Sequence, residues 1–353
     1  MTTAPRILFF ADAGPTVGGG HVMRCLTLAR ALIEEGAECA FVESRAAVSV
    51  LRRFGWPQET VLAMATAREL PGLVAYGAQF ADVFQPDVIV VDHYGAGVKE
   101  EDALRAKTSR RIVVIDDLAD RRHACDLLID PSYGRRRDDY EGLVRPSAPT
   151  LLGPDYALVR PAFADARARA MSRRAQHPPV RRALIALGLT DLGGITRRVV
   201  EPLLPHLGEV RLDVVLGAGS ESLDALSTLA GRDRRVHLHL DTDEMPLLTA
   251  DADVGVGAGG SSVWERASVG LPSVSVVLAD NQAAMAEDLA KTGAIVALDA
   301  RTPDFEAALA AAWRRLVDET DLRWSLASVA ADLCDGRGAE RVANAVLRLL
   351  GPG

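Results

Sequence analysis

The feature that most constrains this chain is a regular alternation of short apolar runs with amphipathic, helix-like stretches. Val88-Ile89-Val90-Val91 is apolar at every position, as a strand covered on both faces must be. Comparable runs at 6–11, 38–43, 111–116 and 127–130 are separated by helical periodicity at 21–35, 46–54, 70–85 and 100–108. Parallel strands need long crossover connections, so this alternation predicts an open α/β sheet with right-handed crossovers. From 133 to 176 the pattern loosens, and Pro146, Pro149, Pro154 and Pro161 interrupt any long helix. An Arg/Ala-rich helix over 162–175 would connect the halves, and His177-Pro178-Pro179 marks a stop.

The alternation then starts afresh. Strands are expected at 182–187, 211–216, 236–240, 254–256, 273–277 and 294–298. Helices are expected at 195–204, 223–229, 244–250, 262–269, 281–292 and 305–316. A chain of 353 residues suits two domains, which commonly run roughly 100–200 residues each. The expected fold class is therefore α/β, with two doubly wound, Rossmann-like domains facing a cleft. The first would cover 1–160, a linker 161–179, and the second 180–353, with a C-terminal helix over 339–350 able to pack on either half.

A formal charge of −8 argues against a general nucleic-acid binder, so an anionic ligand would have to be met locally. The four cysteines are scattered without C-x-x-C pairing, which fits reduced thiols and gives no metal signal. No apolar run approaches the roughly 18 residues of a membrane span. The first expected strand begins at Arg6, so no signal peptide is expected, and a cytoplasmic monomer without metal or cofactor is the expectation.

Two glycine loops follow strands and open helices. Gly18-Gly19-Gly20-His21 comes after Ile7-Leu8-Phe9-Phe10. Backbone N–H groups at such a helix start favour an anion, and His21 would stand beside it. A glycine turn with an incidental histidine satisfies the same letters. The second loop is Gly257-Ala258-Gly259-Gly260-Ser261-Ser262-Val263-Trp264-Glu265. Gly259 and Gly260 would let backbone approach a diphosphate closely, with Ser261, Ser262 and Glu265 near it. Ser262 and Glu265 also have capping-box spacing. Asn281-Gln282 opens a further helix, either as caps or toward sugar hydroxyls. Ligands of open α/β sheets lie outside the carboxyl ends of strands, which singles out Asp92-His93-Tyr94-Gly95 and Asp116-Asp117. The adjacent aspartates are also compatible with Mg²⁺. His237 and His239 share a strand face without a third ligand, and read as half-buried strand positions. The arginines of 135–137, 167–174 and 197–198 read as solvated faces.

These segments, in order from residue 18 to 342, resemble the UDP-sugar hydrolases of pseudaminic acid biosynthesis, relatives of the two-domain GT-B glycosyltransferases. The carriers are Gly18-Gly19-Gly20-His21-Val22-Met23-Arg24, Asp92-His93-Tyr94-Gly95, Asp116-Asp117, Cys125-Asp126-Leu127-Leu128-Ile129 and Gly153-Pro154-Asp155-Tyr156-Ala157-Leu158-Val159-Arg160-Pro161. The stretch Gly257 to Arg266, Gly270-Leu271-Pro272, Asn281-Gln282 and Asp335-Gly336-Arg337-Gly338-Ala339 complete them. The resemblance implies hydrolysis of UDP-2,4-diacetamido-2,4,6-trideoxy-β-L-altropyranose to UDP and free sugar, by inverting attack of water at the anomeric carbon, for surface or flagellin glycosylation. It places the general base on His21 and a second catalytic role on Tyr94. Substrate contacts fall on Gly19, Gly20, Arg24, Asp92, Thr190, Asp191, Met245, Gly259, Gly260, Ser261, Ser262, Glu265, Asn281 and Gln282. One departure stands out: the family reads Gly-Gly-Ser-Asp where this chain has Gly188-Leu189-Thr190-Asp191. The alternative function is a GT-B glycosyltransferase using a UDP-N-acetylhexosamine donor.

Overall fold

The computed structural model describes residues 4–11, 19–57, 61–65, 79–188 and 190–351. Gly18 and Leu189 fall outside them. The chain divides into two compact units, Met1–Leu158 with Arg337–Gly353, and Val159–Gly336.

Among the described residues, unit 1 holds a seven-stranded parallel sheet in the order β3-β2-β1-β4-β5-β6-β7. The strands are β1 (Arg6–Ala11), β2 (Glu38–Ser44), β3 (Val61–Ala65), β4 (Val88–Asp92), β5 (Arg111–Ile115), β6 (Leu127–Asp130) and β7 (Thr150–Leu152). Every residue of β4 is buried, which is why its sequence is apolar without alternation. Leu8, Phe10, Ile89, Val91, Ile112, Val114 and Leu128 form one face of the core, each contributing roughly 1.5–3 kcal/mol by burial. Strand order reverses between β1 and β4, and their register pairs Ala11 with Asp92. The helix after β1, α1 (Gly20–Glu34), therefore starts over the switch point where such sheets bind ligands. The helices α2 (Arg45–Arg53) and α3 (Val98–Thr108) complete the crossovers with described bounds.

Unit 2 repeats the plan with six described strands in the order β10-β9-β8-β11-β12-β13. They are β8 (Arg182–Ala186), β9 (Arg211–Leu216), β10 (Val236–Leu240), β11 (Val254–Ala258), β12 (Ser273–Val277) and β13 (Val296–Asp299). Its switch point lies between β8 and β11, so the loops following those two strands, 187–194 and 259–261, occupy the ligand-binding position. The helices are α4 (Pro161–Arg174), α5 (Ile195–Leu203), α6 (Leu223–Ala230), α7 (Met245–Asp251), α8 (Ser262–Ser268), α9 (Asp280–Thr292), α10 (Phe305–Asp318) and α11 (Thr320–Leu333). α12 (Gly338–Arg348) belongs to unit 1, where it packs on α1.

Two boundaries differ from expectation. Residues 161–179 do not form a free linker: α4 packs on α7 and α8 and is pinned by its arginines. Arg167 donates to the carbonyls of Ser268 (2.6 Å), Ala331 (2.7 Å) and Cys334 (3.0 Å). Buried Arg174 donates to those of Thr249 and Ala252, both at 3.1 Å. These carbonyls close helix C-termini, where a cation is favoured. The run 167–174 is thus only partly a solvated face. The second boundary is that 337–353 returns to unit 1 instead of extending the second domain. β3, β7 and α11 were also not anticipated. β7 is three residues hemmed by Pro149 and Gly153, too short to show a period.

Candidate active site

In unit 1 the site is a chain of charges around His21. The ring sits in the first turn of α1 and is 5% exposed. Its Nδ1 lies 2.5 Å from Asp92 Oδ1, at the carboxyl end of β4. Arg24, one turn further along α1, clamps the same carboxylate with both edges of its fork. Nε donates to Oδ2 and Nη2 to Oδ1, each at 2.6 Å. Its remaining nitrogen, Nη1, donates to Asp117 Oδ2 at 2.8 Å, just past β5. Burial alone would raise the pKa of Asp92, but Arg24 and His21 outweigh it and hold the carboxyl well below its usual range. Burial likewise opposes the charge on Arg24, and Asp92 and Asp117 overcome it, so the guanidinium is held charged more firmly than usual.

This fixes the histidine tautomer. An ionised Asp92 only accepts hydrogen bonds, so at 2.5 Å the facing Nδ1 must carry the proton. Arg24 Nη2, which carries two hydrogens and gives one to Asp92 Oδ1, also lies 3.2 Å from Nδ1. Nε2 is left as the basic nitrogen, without a hydrogen-bond partner among the described residues. A carboxylate behind Nδ1 also stabilises the imidazolium that forms when Nε2 takes a proton. The Tyr94 ring stands edge-on to the imidazole, 4.4 Å between centroids and 87° between planes. Its hydroxyl points back to Asp117 Oδ2, 3.4 Å away.

In unit 2 the second glycine loop lies at the carboxyl ends of β11 and β12. The Gly259 amide donates to the Val276 carbonyl at 2.8 Å, tying the loop to the neighbouring strand. Gln282 lies along the glycine pair: a Cβ at Gly260 would come within 3.4 Å of its Nε2, and one at Gly259 within 3.6 Å of its Oε1. That Oε1 accepts from the Leu278 amide at 2.9 Å. Gly259, Gly260 and Gln282 are thus brought together, with Asn281 exposed beside them. The capping box is not formed. Ser261 is the N-cap residue of α8 without a side-chain cap, and the Ser262 hydroxyl faces the Ala258 carbonyl at 3.4 Å. Glu265 instead pairs with Arg160, whose Nη2 is 3.0 Å from its Oε1.

No protein-family model matches the chain. It is 23% identical over 288 residues to the UDP-2,4-diacetamido-2,4,6-trideoxy-beta-L-altropyranose hydrolase of Campylobacter jejuni, covering 82% of this chain and 97% of that one. To the spore coat polysaccharide biosynthesis protein SpsG of Bacillus subtilis it is 24% identical over 347 residues, covering 94% and 95%. The crystal structure of Acinetobacter baumannii MurG superposes with a TM-score of 0.66 at 15% identity, over 98% of this chain and 100% of that one. The chain has the GT-B fold.

Several assignments change with the side chains in view. Arg24 and Asp92 were expected to contact substrate, but they are 7% and 0% exposed and direct their polar atoms at one another, His21 and Asp117. They position the His21 ring. Asp191 is buried too. Its Oδ1 accepts from the Thr196 amide and its Oδ2 from the Ser222 amide, each at 2.8 Å, so it caps α5 and the loop before α6. Thr190 beside it is exposed, Met245 is half-buried in the first turn of α7, and Gly19 is the N-cap residue of α1 with Gly20 opening the helix. Asp116 and Asp117 do not face one ligand: Asp116 accepts from the Ala119 amide and Tyr140, while Asp117 serves Arg24. No metal-like group of three or more His, Cys, Asp or Glu side chains occurs among the described residues. His239 pairs with Asp213 at 2.7 Å. Asp117 was singled out only as one of an adjacent pair at a strand end; Arg160 and Arg266 were missed. Their only sequence signal was membership of the motifs quoted above.

Proposed function

We propose that the chain is a nucleotide-sugar hydrolase that splits UDP-2,4-diacetamido-2,4,6-trideoxy-β-L-altropyranose into UDP and the free sugar. The observation that carries it is the His21–Asp92 pair, with the Nδ1 proton anchored and Nε2 open as a base. The Campylobacter hydrolase, similar over nearly its whole length, supports the substrate class. Water is the nucleophile. Nε2 of His21 takes its proton as the oxygen attacks the anomeric carbon, and the bond from that carbon to the diphosphate oxygen breaks with its electron pair leaving on UDP. Attack opposite the leaving group inverts the anomeric centre. The imidazolium is stabilised by Asp92, which Arg24 keeps ionised. UDP is a good leaving group once its charge is held, so no second carboxylate is needed as an acid, unlike in ordinary glycosidases.

Unit 2 supplies the grip on UDP through Gly259, Gly260, Ser261, Ser262 and Glu265, with Asn281 and Gln282 toward the sugar and Thr190 and Met245 beside the nucleotide. Gly19, Gly20 and Tyr94 line the sugar side of unit 1. The protein acts as a cytoplasmic monomer. No described helix is long and apolar enough to cross a membrane. The deciding assay incubates the purified protein with the UDP-sugar, without acceptor, in ¹⁸O-water. UDP release with the label in the sugar is expected. Release only on adding an acceptor would make it a glycosyltransferase, and label in UDP would overturn carbon–oxygen cleavage.

A further inference from the structure

Arg266, in the middle of α8, is buried at 4% exposure and points back under the glycine loop. All of its N–H groups meet neutral oxygens. Nε donates to Ser273 Oγ at 3.3 Å, and Nη2 to the Ala258 carbonyl and Ser275 Oγ, both at 2.9 Å. Nη1 donates to the Ser262 carbonyl at 3.3 Å and the Ser262 hydroxyl at 3.2 Å. Among the described residues no carboxylate is in ion-pair contact with it. The neighbouring acid, Glu265, is engaged by Arg160. Burial accordingly pulls the Arg266 pKa down to about 10, with Glu265 opposing only in part.

Other buried arginines of unit 2 show that this environment is unusual. Arg174 donates to carbonyls at the C-terminal end of α7, and Arg323 to those of Leu316 and Val317 near the end of α10. There the carbonyls belong to a helix C-terminus, which favours a cation, although burial still pulls Arg174 down to about 9. Arg266 instead binds the carbonyl that ends β11 and the first carbonyl of α8, at the opposite end of its helix. The chain has also made room for it: a Cβ at Gly257 would fall 2.3 Å from Nη1. Gly257 is therefore a packing glycine for the guanidinium, whereas Gly259 and Gly260 pack beside Gln282.

We infer that Arg266 is a positioning residue of the nucleotide site, whose unmatched buried charge is met by the diphosphate of the bound ligand. Its donors fix the carbonyls and hydroxyl that shape 258–262 from beneath, and its field draws a polyanion to the loop. The inference rests on the reading of this loop as the UDP grip, and extends it: discrimination between a nucleoside diphosphate and a bare nucleoside resides in a residue that never touches either.

The test is calorimetric titration of the full chain with UDP and with uridine, for wild type, Arg266→Gln, Arg266→Lys and Gly257→Ala. Arg266→Gln keeps hydrogen bonding and removes the charge. Its UDP affinity is expected to fall about tenfold or more while uridine affinity changes less than about twofold. Arg266→Lys is expected to retain most of the preference, and Gly257→Ala to lose part of it by displacing the guanidinium. Equal losses for UDP and uridine, or none, in Arg266→Gln overturn the inference. Should that variant not fold, as judged by its thermal melt, wild type decides. A buried charge is weakly screened, so the preference for UDP over uridine should survive about 0.5 M NaCl, and its collapse overturns the inference. Wild type binding uridine but showing no preference for UDP removes the role of Arg266 alone, whereas wild type binding neither removes the reading of the loop itself.

Discussion

Arg24 and Arg266 are the same residue type at nearly the same burial, 7% and 4% exposed, in two units of the same doubly wound plan. Arg24 divides its fork between two carboxylates. Arg266 has only hydroxyls and carbonyls. The first charge is satisfied within the protein and sets the orientation and tautomer of His21. The second is held in place and left electrically open. A buried arginine thus reports on its site by what it lacks as much as by what it holds: one paired with carboxylates orients a histidine, and one paired only with neutral oxygens is where we infer an anion.

The sharpest way to break the comparison is to remove the histidine that Arg24 and Asp92 hold in place. His21→Ala is expected to lower kcat by about 10²–10⁴, with UDP affinity within a few-fold of wild type in titration. If turnover survives, the unit 1 cluster is structural only. Arg24→Met comes next, because it strands two acids. It is expected to cost about 3–5 kcal/mol in urea unfolding, the range found when a buried pair loses one partner. Asp92→Asn should lower kcat by roughly 10²–10³, since an amide no longer enforces the Nδ1 tautomer.

The same Asp92→Asn variant has a signature in pH. The folded pKa of Asp92 is depressed, so its ionised form stabilises the fold above the unfolded value of about 3.9, and that stability is lost as pH falls through the lower folded value. Wild type should therefore lose stability below about pH 4, and Asp92→Asn, weaker at pH 7, should lose less over that interval. Urea midpoints at pH 7, 4 and 3 check it, and parallel declines would show that other acids dominate. The smallest effect is expected from Tyr94→Phe. Its hydroxyl makes a long 3.4 Å contact to Asp117 while the ring contact with His21 is kept, so kcat should fall less than about tenfold.

Much of this was legible in the chain. The strand runs of both halves were readable because buried parallel strands impose a local composition. Legibility ended where partners are distant. Arg24 and Asp92 are 68 residues apart, and nothing local says that one clamps the other. Asp191 was placed at the substrate by its match to the family's Gly-Gly-Ser-Asp segment, yet its carboxylate caps backbone amides. Charge patterning misled for Arg167 and Arg174, whose spacing resembles a wet helix face. Their partners are carbonyls at the ends of other helices, which leave no mark in the sequence.

The return of α12 has a consequence in time. Gly338 lies so close to Ala157 that a Cβ there would be 2.2 Å from its carbonyl oxygen, so the chain leaves unit 1 and rejoins it at one seam. Unit 2 is an insertion within unit 1. On the ribosome, Val159–Gly336 is complete before the segment that finishes unit 1 has been made. Unit 2 can fold first, and the unit that carries His21 is sealed only when α12 emerges after it.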